Sequence, residues 1–169
     1  NFKADGGFEM QTVDLPEFLP SGASAGETVK FDTYNHNVLT YDDGAYVVSK
    51  LSTQSFYNEQ NNWQHESHNP DNWVVFNVEL GSDEQWSVNT SKSFVFSNSG
   101  TQATENNFGE LGMLYSDGFV GADSSGIYIK SNVSGNQDLY YLDATLAHTS
   151  ENGTLTKVID QQVNSYSYY

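Results

Sequence analysis

The chain has 169 residues, with 22 acidic residues against six lysines and no arginine, so its formal net charge is −16. This shortage of cations excludes nucleic acids and anionic membrane surfaces as partners, because both are bound through Lys and Arg that displace counterions. Cysteine is absent, which excludes disulfides and thiolate metal sites. The polar surface must therefore consist mainly of amide and hydroxyl side chains, which suit neutral partners that form hydrogen bonds.

The length predicts one domain over residues 1–169, and no Gly/Ser-rich stretch is long enough to act as a linker. Ten Phe and eleven Tyr supply enough apolar area for a core. No segment approaches the roughly 20 consecutive apolar residues of a membrane helix, so membrane insertion is not expected. Residues 1–25 lack a clear period and contain Pro16 and Pro20, which cannot donate to a ladder, so they are predicted to be an irregular or edge segment packed on a sheet.

The first predicted strands cover residues 27–34, 38–41 and 45–51, where apolar and polar residues alternate. Asp42-Asp43-Gly44 separates the last two. Asp-Gly between β-forming residues favours the positive φ angles of a tight turn, so this segment predicts a hairpin.

The next segment, from Tyr57 to Trp73, concentrates amides, histidines and two of the three tryptophans. Aromatic faces stack on sugar rings, and planar amides, carboxylates and imidazoles bond to hydroxyl groups, so this loop predicts a glycan site. Trp63 lies between polar residues and is the predicted platform, whereas Trp73 opens a strand and is predicted to be core. The predicted ligand-binding residues are Tyr57, Trp63, His65, His68, Asp71 and Asn72.

The same loop offers His65, His68, Glu66 and Asp71 as metal ligands, but the spacing is not that of a His-Glu-x-x-His zinc helix. No metal cofactor is therefore expected. Calcium is the metal that the turn carboxylates would suit best, although no calcium-loop spacing occurs and Asp is common in turns for conformational reasons.

Residues 74–80 give the clearest strand, with Val74, Phe76, Val78 and Leu80 on its predicted apolar face. Residues 85–88 and 93–96 continue the pattern. Asn89, between them, begins one of three N-glycosylation sequons, and Asn132 and Asn152 begin the others, each in or beside a turn-like segment. The chain begins at Asn1 without a positively charged apolar leader, so a mature secreted protein is expected, at the cell surface or in a cell wall.

Residues 113–120 repeat the Tyr-x-x-Gly turn pattern of residues 41–44, which predicts either a duplicated hairpin or ordinary reuse of an Asp-Gly turn. Further strands are predicted at 126–130, 139–142, 144–148 and 154–160, and the best helical candidate is the short segment 160–163. The alternating tyrosines of residues 163–169 predict a last edge strand, or alternatively a site of self-association.

About nine or ten short strands with polar turns and no βα alternation predict an all-β fold. An antiparallel, jelly-roll-like β-sandwich is the preferred architecture, and a β-trefoil or other closed β-barrel is the alternative.

These features predict an extracellular, non-catalytic module that binds a neutral polysaccharide or glycan. The alternative is a structural or adhesive protein of a cell wall or matrix that assembles through its Tyr-rich edge. The third hypothesis is a polysaccharide hydrolase or lyase with Glu66 and Glu79 as its pair of carboxylates.

Overall fold

A computed structural model describes residues 10–15, 29–53, 56–58, 62–64, 72–98, 106–131, 133, 138–151 and 154–159, with side chains except at 29–35, 51–53, 56–58, 62–64 and 72. These residues are mostly strand. The strands are β1 (Val29–Tyr41), β2 (Gly44–Thr53), β3 (Phe56–Asn58), β4 (Asn62–Gln64), β5 (Asn72–Leu80), β6 (Trp86–Ser97), β7 (Phe119–Asp123), β8 (Gly126–Lys130), β9 (Leu139–Asp143) and β10 (Leu155–Ile159). One α-helix, α1, spans Ala144–Thr149, and single 3₁₀ turns span Gly109–Leu111 and Ser116–Gly118. The prediction of an all-β class is confirmed.

The strands form two antiparallel sheets of four strands and a small hairpin of β3 with β4. The first sheet has the order β1-β2-β5-β6, and the second has the order β10-β9-β8-β7. Each sheet is a meander, because neighbouring strands follow one another in the chain apart from the β3–β4 insertion. The described strands close no barrel, and their order does not establish the predicted jelly-roll connection.

The two sheets share one hydrophobic core. Its largest fully buried members include Tyr46, Trp73 and Phe96 from the first sheet and Ile127 and Leu142 from the second. Trp73 meets Phe119 of β7 edge to face at 4.8 Å between ring centroids, and its indole Nε1 donates to Asn98 Oδ1 at 3.2 Å. Trp73 is therefore a core residue, as its position at the start of a strand predicts.

The two faces of β5 differ from the simple alternation predicted for residues 74–80. Trp73 and Val75 face the shared core, whereas Val74 and Phe76 form a second cluster on the other face. This second cluster is covered by Leu15, Val47, Val88 and Val95. A central strand whose two faces are both covered carries apolar residues on both, so alternation alone could not identify the main core face. Two residues of the N-terminal segment, Gln11 and Leu15, contact the first sheet. The packing of residues 1–25 as a whole stays a prediction.

The hairpin predicted at Asp42-Asp43-Gly44 is confirmed, since Tyr41 pairs with Gly44 across a two-residue turn. The reason for the glycine differs from the predicted one. Neither turn residue has a positive φ, and the missing Cβ of Gly44 instead leaves the space that the end of the Tyr41 ring occupies. The glycine thus allows Tyr41 to lie across the end of the hairpin.

Two local predictions are wrong. Residues 144–148 form α1 rather than a strand, because Asp143 caps the helix by accepting from Leu146 N at 2.9 Å and the segment contains good helix formers. Of the two alternatives for residues 113–120, the duplicated hairpin is wrong, because residues 113–115 form no strand and Ser116–Gly118 is a 3₁₀ turn leading into β7. The helical candidate at 160–163 and the tail at 163–169 lie outside the described residues.

Neither α1 nor the 3₁₀ turns, the helical elements in the part of the chain that the structure describes, has the length and apolar character needed to cross a bilayer.

Candidate functional site

The predicted glycan loop is only partly described. Tyr57 and Trp63 are register partners in the β3–β4 hairpin, and Asn72 is the first residue of β5. His65, His68 and Asp71 lie outside the described residues, as does Glu66, so the predicted site residues stay a prediction.

The described residues form a cleft between the two sheets, at the end where the β1–β2 and β7–β8 turns approach each other. Its volume is about 570 Å³. The residues that line it are Tyr41, Asp42, Asp43, Glu79, Leu80, Ala122, Asp123 and Ser124. Four of the eight carry carboxyl groups, and one is aromatic. Asp42 and Asp43 belong to the turn of the predicted hairpin, whereas Asp123 was not among the predicted site residues, and nothing local indicates that Asp42 and Asp123 belong to one cleft.

Glu79 is the acid of the cleft that is bound by a cation. Its Oε1 accepts from Lys92 Nζ at 2.8 Å and from the Tyr41 hydroxyl at 3.4 Å, and its Oε2 accepts from Asn89 Nδ2 at 3.0 Å. The hydrogen bond from Lys92, supported by those from Asn89 and Tyr41, outweighs partial burial and lowers the pKa of Glu79. Glu79 is therefore held ionised and in a fixed orientation.

Asp123 is fixed on the opposite wall of the cleft. Its Oδ1 accepts from the backbone N–H groups of Ser125 and Gly126, at 2.8 and 3.0 Å, and from the Tyr141 hydroxyl at 3.0 Å, while Oδ2 accepts from Tyr128 at 3.2 Å. Burial by itself would raise the pKa of Asp123, but these four donors together lower it. The second carboxylate is thus also ionised.

Beneath the cleft lie two buried polar residues, Tyr46 and Asn77, which are register partners in β2 and β5. Asn77 Nδ2 donates to the Tyr41 hydroxyl at 2.8 Å, and the rings of Tyr41 and Tyr46 are 5.6 Å apart. Burial, together with the nearby Tyr41, Tyr141, Asp123 and Glu79, raises the pKa of Tyr46 strongly. Tyr46 therefore stays neutral under the negatively charged cleft, and Asn77 holds Tyr41 in place above it.

The sequon residue Asn89 lies within β6 rather than in a turn, and its amide nitrogen is bonded to Glu79. Its Oδ1 accepts from Ser91 N at 3.1 Å and from Ser91 Oγ at 2.7 Å. Asn89 therefore supports the cleft wall. Asn132 and Asn152 lie outside the described residues, and glycosylation of the three sequons stays a prediction.

Among the residues that the structure describes, no three His, Asp or Glu side chains converge as metal ligands would. Glu79 and Asp123 each face hydrogen-bond donors from the protein. The expectation of no metal cofactor, with calcium as the metal that the turn carboxylates would suit best, stays a prediction.

Comparison with known proteins gave no match to a protein-family model, to a curated protein or to a solved structure.

The carboxylates of Glu79 and Asp123, each bound by hydrogen-bond donors of the protein, make stability depend on pH. The folded-state pKa of Glu79 lies below its ordinary value of 4.5, and that of Asp123 lies below 3.8. Their contribution to the free energy of unfolding is complete above the ordinary values and is lost as the pH falls through the lowered folded values. We expect Glu79→Gln and Asp123→Asn each to flatten the fall in urea midpoint between about pH 6 and about pH 3. Glu110 is exposed, so Glu110→Gln is the control. The expectation would be contradicted if the urea midpoints of Glu79→Gln and Asp123→Asn both fell with pH as steeply as that of the unmodified chain.

Proposed function

We propose that this chain is an extracellular, non-catalytic carbohydrate-binding module that recognises neutral glycans through the cleft between its two sheets. The observation that carries the proposal is a cleft of about 570 Å³ that combines the Tyr41 ring with fixed carboxylates. This volume falls within the range of about 300–1,000 Å³ that is usual for small-ligand sites. We also propose that the two sheets form an open β-sandwich, with the cleft at one end.

Hydrogen-bond chemistry supports a ligand rich in hydroxyl groups. Ionised Glu79 and Asp123 are acceptors, and Asp42 and Asp43 add exposed carboxylates at the β1–β2 turn. A hydroxyl donor bound to a charged acceptor contributes more than a neutral pair does, typically about 1.5–3 kcal/mol. Glu79 and Asp123 already accept hydrogen bonds from the protein, so both carboxylates keep hydrogen-bond partners when a neutral ligand enters the cleft.

The same groups favour binding over hydrolysis. A glycosidase with two carboxylates requires one of them to keep its proton, which means a raised pKa. Both Glu79 and Asp123 have lowered pKa values. We therefore propose that neither serves as a general acid, and that the module does not cleave its ligand.

The formal net charge of −16 supports exclusion of acidic sugars, phosphates and sulfates, which the cleft carboxylates would repel. The proposed ligand class is thus an uncharged oligosaccharide or polysaccharide outside the cell.

The test is a glycan array followed by calorimetry on the strongest neutral glycan. We expect Asp42→Ala/Asp43→Ala to weaken binding about tenfold or more, because two charged acceptors at the cleft rim are removed. Glu110→Ala/Asp117→Ala removes the same charge from residues that do not line the cleft, and it should leave affinity unchanged. No binding to any neutral glycan would overturn the function. Binding lost in Trp63→Ala but retained in the Asp42/Asp43 variant would instead place the site on the β3–β4 hairpin.

The structural or adhesive alternative is supported by the end of the second sheet. Among the strands that the structure describes, β10 is at the end of that sheet, and Val158 and Ile159 are 50% and 44% exposed on it. Exposed terminal strands can pair with other chains, so self-association remains the second proposed function.

A further inference from the structure

Lys92 is a cation bound to two residues that line the cleft. It lies on β6, and its ammonium donates to Glu79 Oε1 and to the carbonyl oxygen of Ser124, both at 2.8 Å. Glu79 belongs to the first sheet, whereas Ser124 belongs to the turn between β7 and β8. The Lys92 side chain therefore bridges the two walls of the cleft.

The Lys92 ammonium is bound by groups that would also bind an amine of a ligand. The cleft contains the carboxyl groups of Asp42, Asp43, Glu79 and Asp123, and the Tyr41 ring lies beside them. A primary ammonium has three donors and no acceptor, so a carboxylate together with a carbonyl oxygen suits it well. Within the protein, Lys92 already supplies this group.

We propose that Lys92 is a specificity-determining residue of the cleft: its ammonium occupies the position that an amine of the ligand would take, so the cleft selects uncharged sugars over amino sugars. The selection of uncharged sugars rests on the proposed function. The effect of Lys92 on amine-bearing ligands follows from its own contacts.

The physical reason is competition for one position. A ligand ammonium near Glu79 would be repelled by the charge of Lys92. It could bind the carboxylate only by displacing the Lys92 side chain from Glu79 Oε1 and the Ser124 carbonyl oxygen. Without Lys92, Glu79 would keep the hydrogen bonds from Asn89 and Tyr41 but would lack a counter-charge. An amine of the ligand would then restore the missing ion pair.

The probes are glucosamine tetramer and N-acetylglucosamine tetramer, which share a backbone and differ in their amines. Calorimetry at a pH that keeps the amines protonated gives the ratio of the two affinities, and amide chemical-shift mapping shows whether residues 41–44 and 122–126 respond. We expect Lys92→Met to raise the ratio of amine to acetylated affinity at least tenfold over the unmodified chain. Lys92→Gln provides a second neutral variant, and Lys92→Arg, which retains a cation, should restore the original ratio.

Lys157→Met is the matched control, since Lys157 pairs at 2.7 Å with Asp138, which does not line the cleft, whereas Lys92 pairs with Glu79, which does. It removes one positive charge and should leave the ratio unchanged. An unchanged ratio in both neutral Lys92 variants, or an equal rise in Lys157→Met, would overturn the proposal. If the unmodified chain does not bind the acetylated tetramer, the proposed function is overturned, and the affinity for the glucosamine tetramer alone then tests the role of Lys92: it should rise at least tenfold in Lys92→Met and not in Lys157→Met.

Discussion

Replacing Trp73 with Ala is expected to lower the free energy of unfolding by about 3–5 kcal/mol, the usual cost of deleting a large aromatic side chain from a core. Trp73 is fully buried between the two sheets. The substitution would remove its edge-to-face contact with Phe119 and would leave Asn98 Oδ1 without the indole donor. Urea denaturation followed by far-ultraviolet circular dichroism measures the loss, because this signal does not depend on the deleted indole.

Two further variants separate these contributions. Trp73→Phe keeps an aromatic ring but loses the Nε1 donor, so it should cost less than Trp73→Ala yet remain destabilising. Val120→Ala is the control, since Val120 is 52% exposed and should change stability by less than about 0.5 kcal/mol. A Trp73→Ala variant as stable as the control would show that Trp73 does not hold the two sheets together.

The second large effect is expected at Gly126, the first residue of β8. A Cβ at this position would collide with the carbonyl oxygen of Leu142 and would lie 2.9 Å from the Tyr141 ring. The Leu142 oxygen belongs to the backbone of β9, which cannot move without disturbing the sheet. Gly126→Ala should therefore destabilise the protein by about 1–3 kcal/mol, the usual cost of overpacking, or more.

Gly126→Ala should also affect the cleft, because Tyr141 and the Gly126 N–H both donate to Asp123. Gly121→Ala, in the adjacent strand β7, is the matched control, since its new Cβ would meet only Tyr128 Cδ2 at 4.0 Å. We expect Gly121→Ala to remain close to the unmodified chain in urea midpoint. Equal stability of the two alanine variants would contradict the requirement for glycine at residue 126.

Local chemistry made several parts of the structure predictable. The Asp42-Asp43-Gly44 turn between β-forming residues predicted the first hairpin, and the alternation from residue 74 predicted β5. Prediction from local sequence was wrong at α1, because a short apolar run fits a helix as well as a strand and the Asp143 cap decides between them. It also failed at residues 113–118, where the same turn residues close a 3₁₀ turn.

The cleft could not be predicted, because its walls come from residues far apart in the chain. Glu79 and Lys92 are 13 residues apart, while Lys92 and Ser124 are 32 apart. Each looked like a solvated polar residue when its neighbours in sequence were considered alone. Only the tertiary contacts through the shared core bring residues of the two turns to one cleft.

By itself, the sequence determined the all-β class, the negative and cation-poor composition, and the buried position of Trp73, because composition and short-range alternation act within a strand and its turns. The tertiary structure alone decided which face of β5 meets the second sheet, and it brought Tyr41, Glu79 and Asp123 into one cleft. The physical reason is that strand order and sheet packing depend on contacts between distant segments, and local patterning specifies no partner for such contacts.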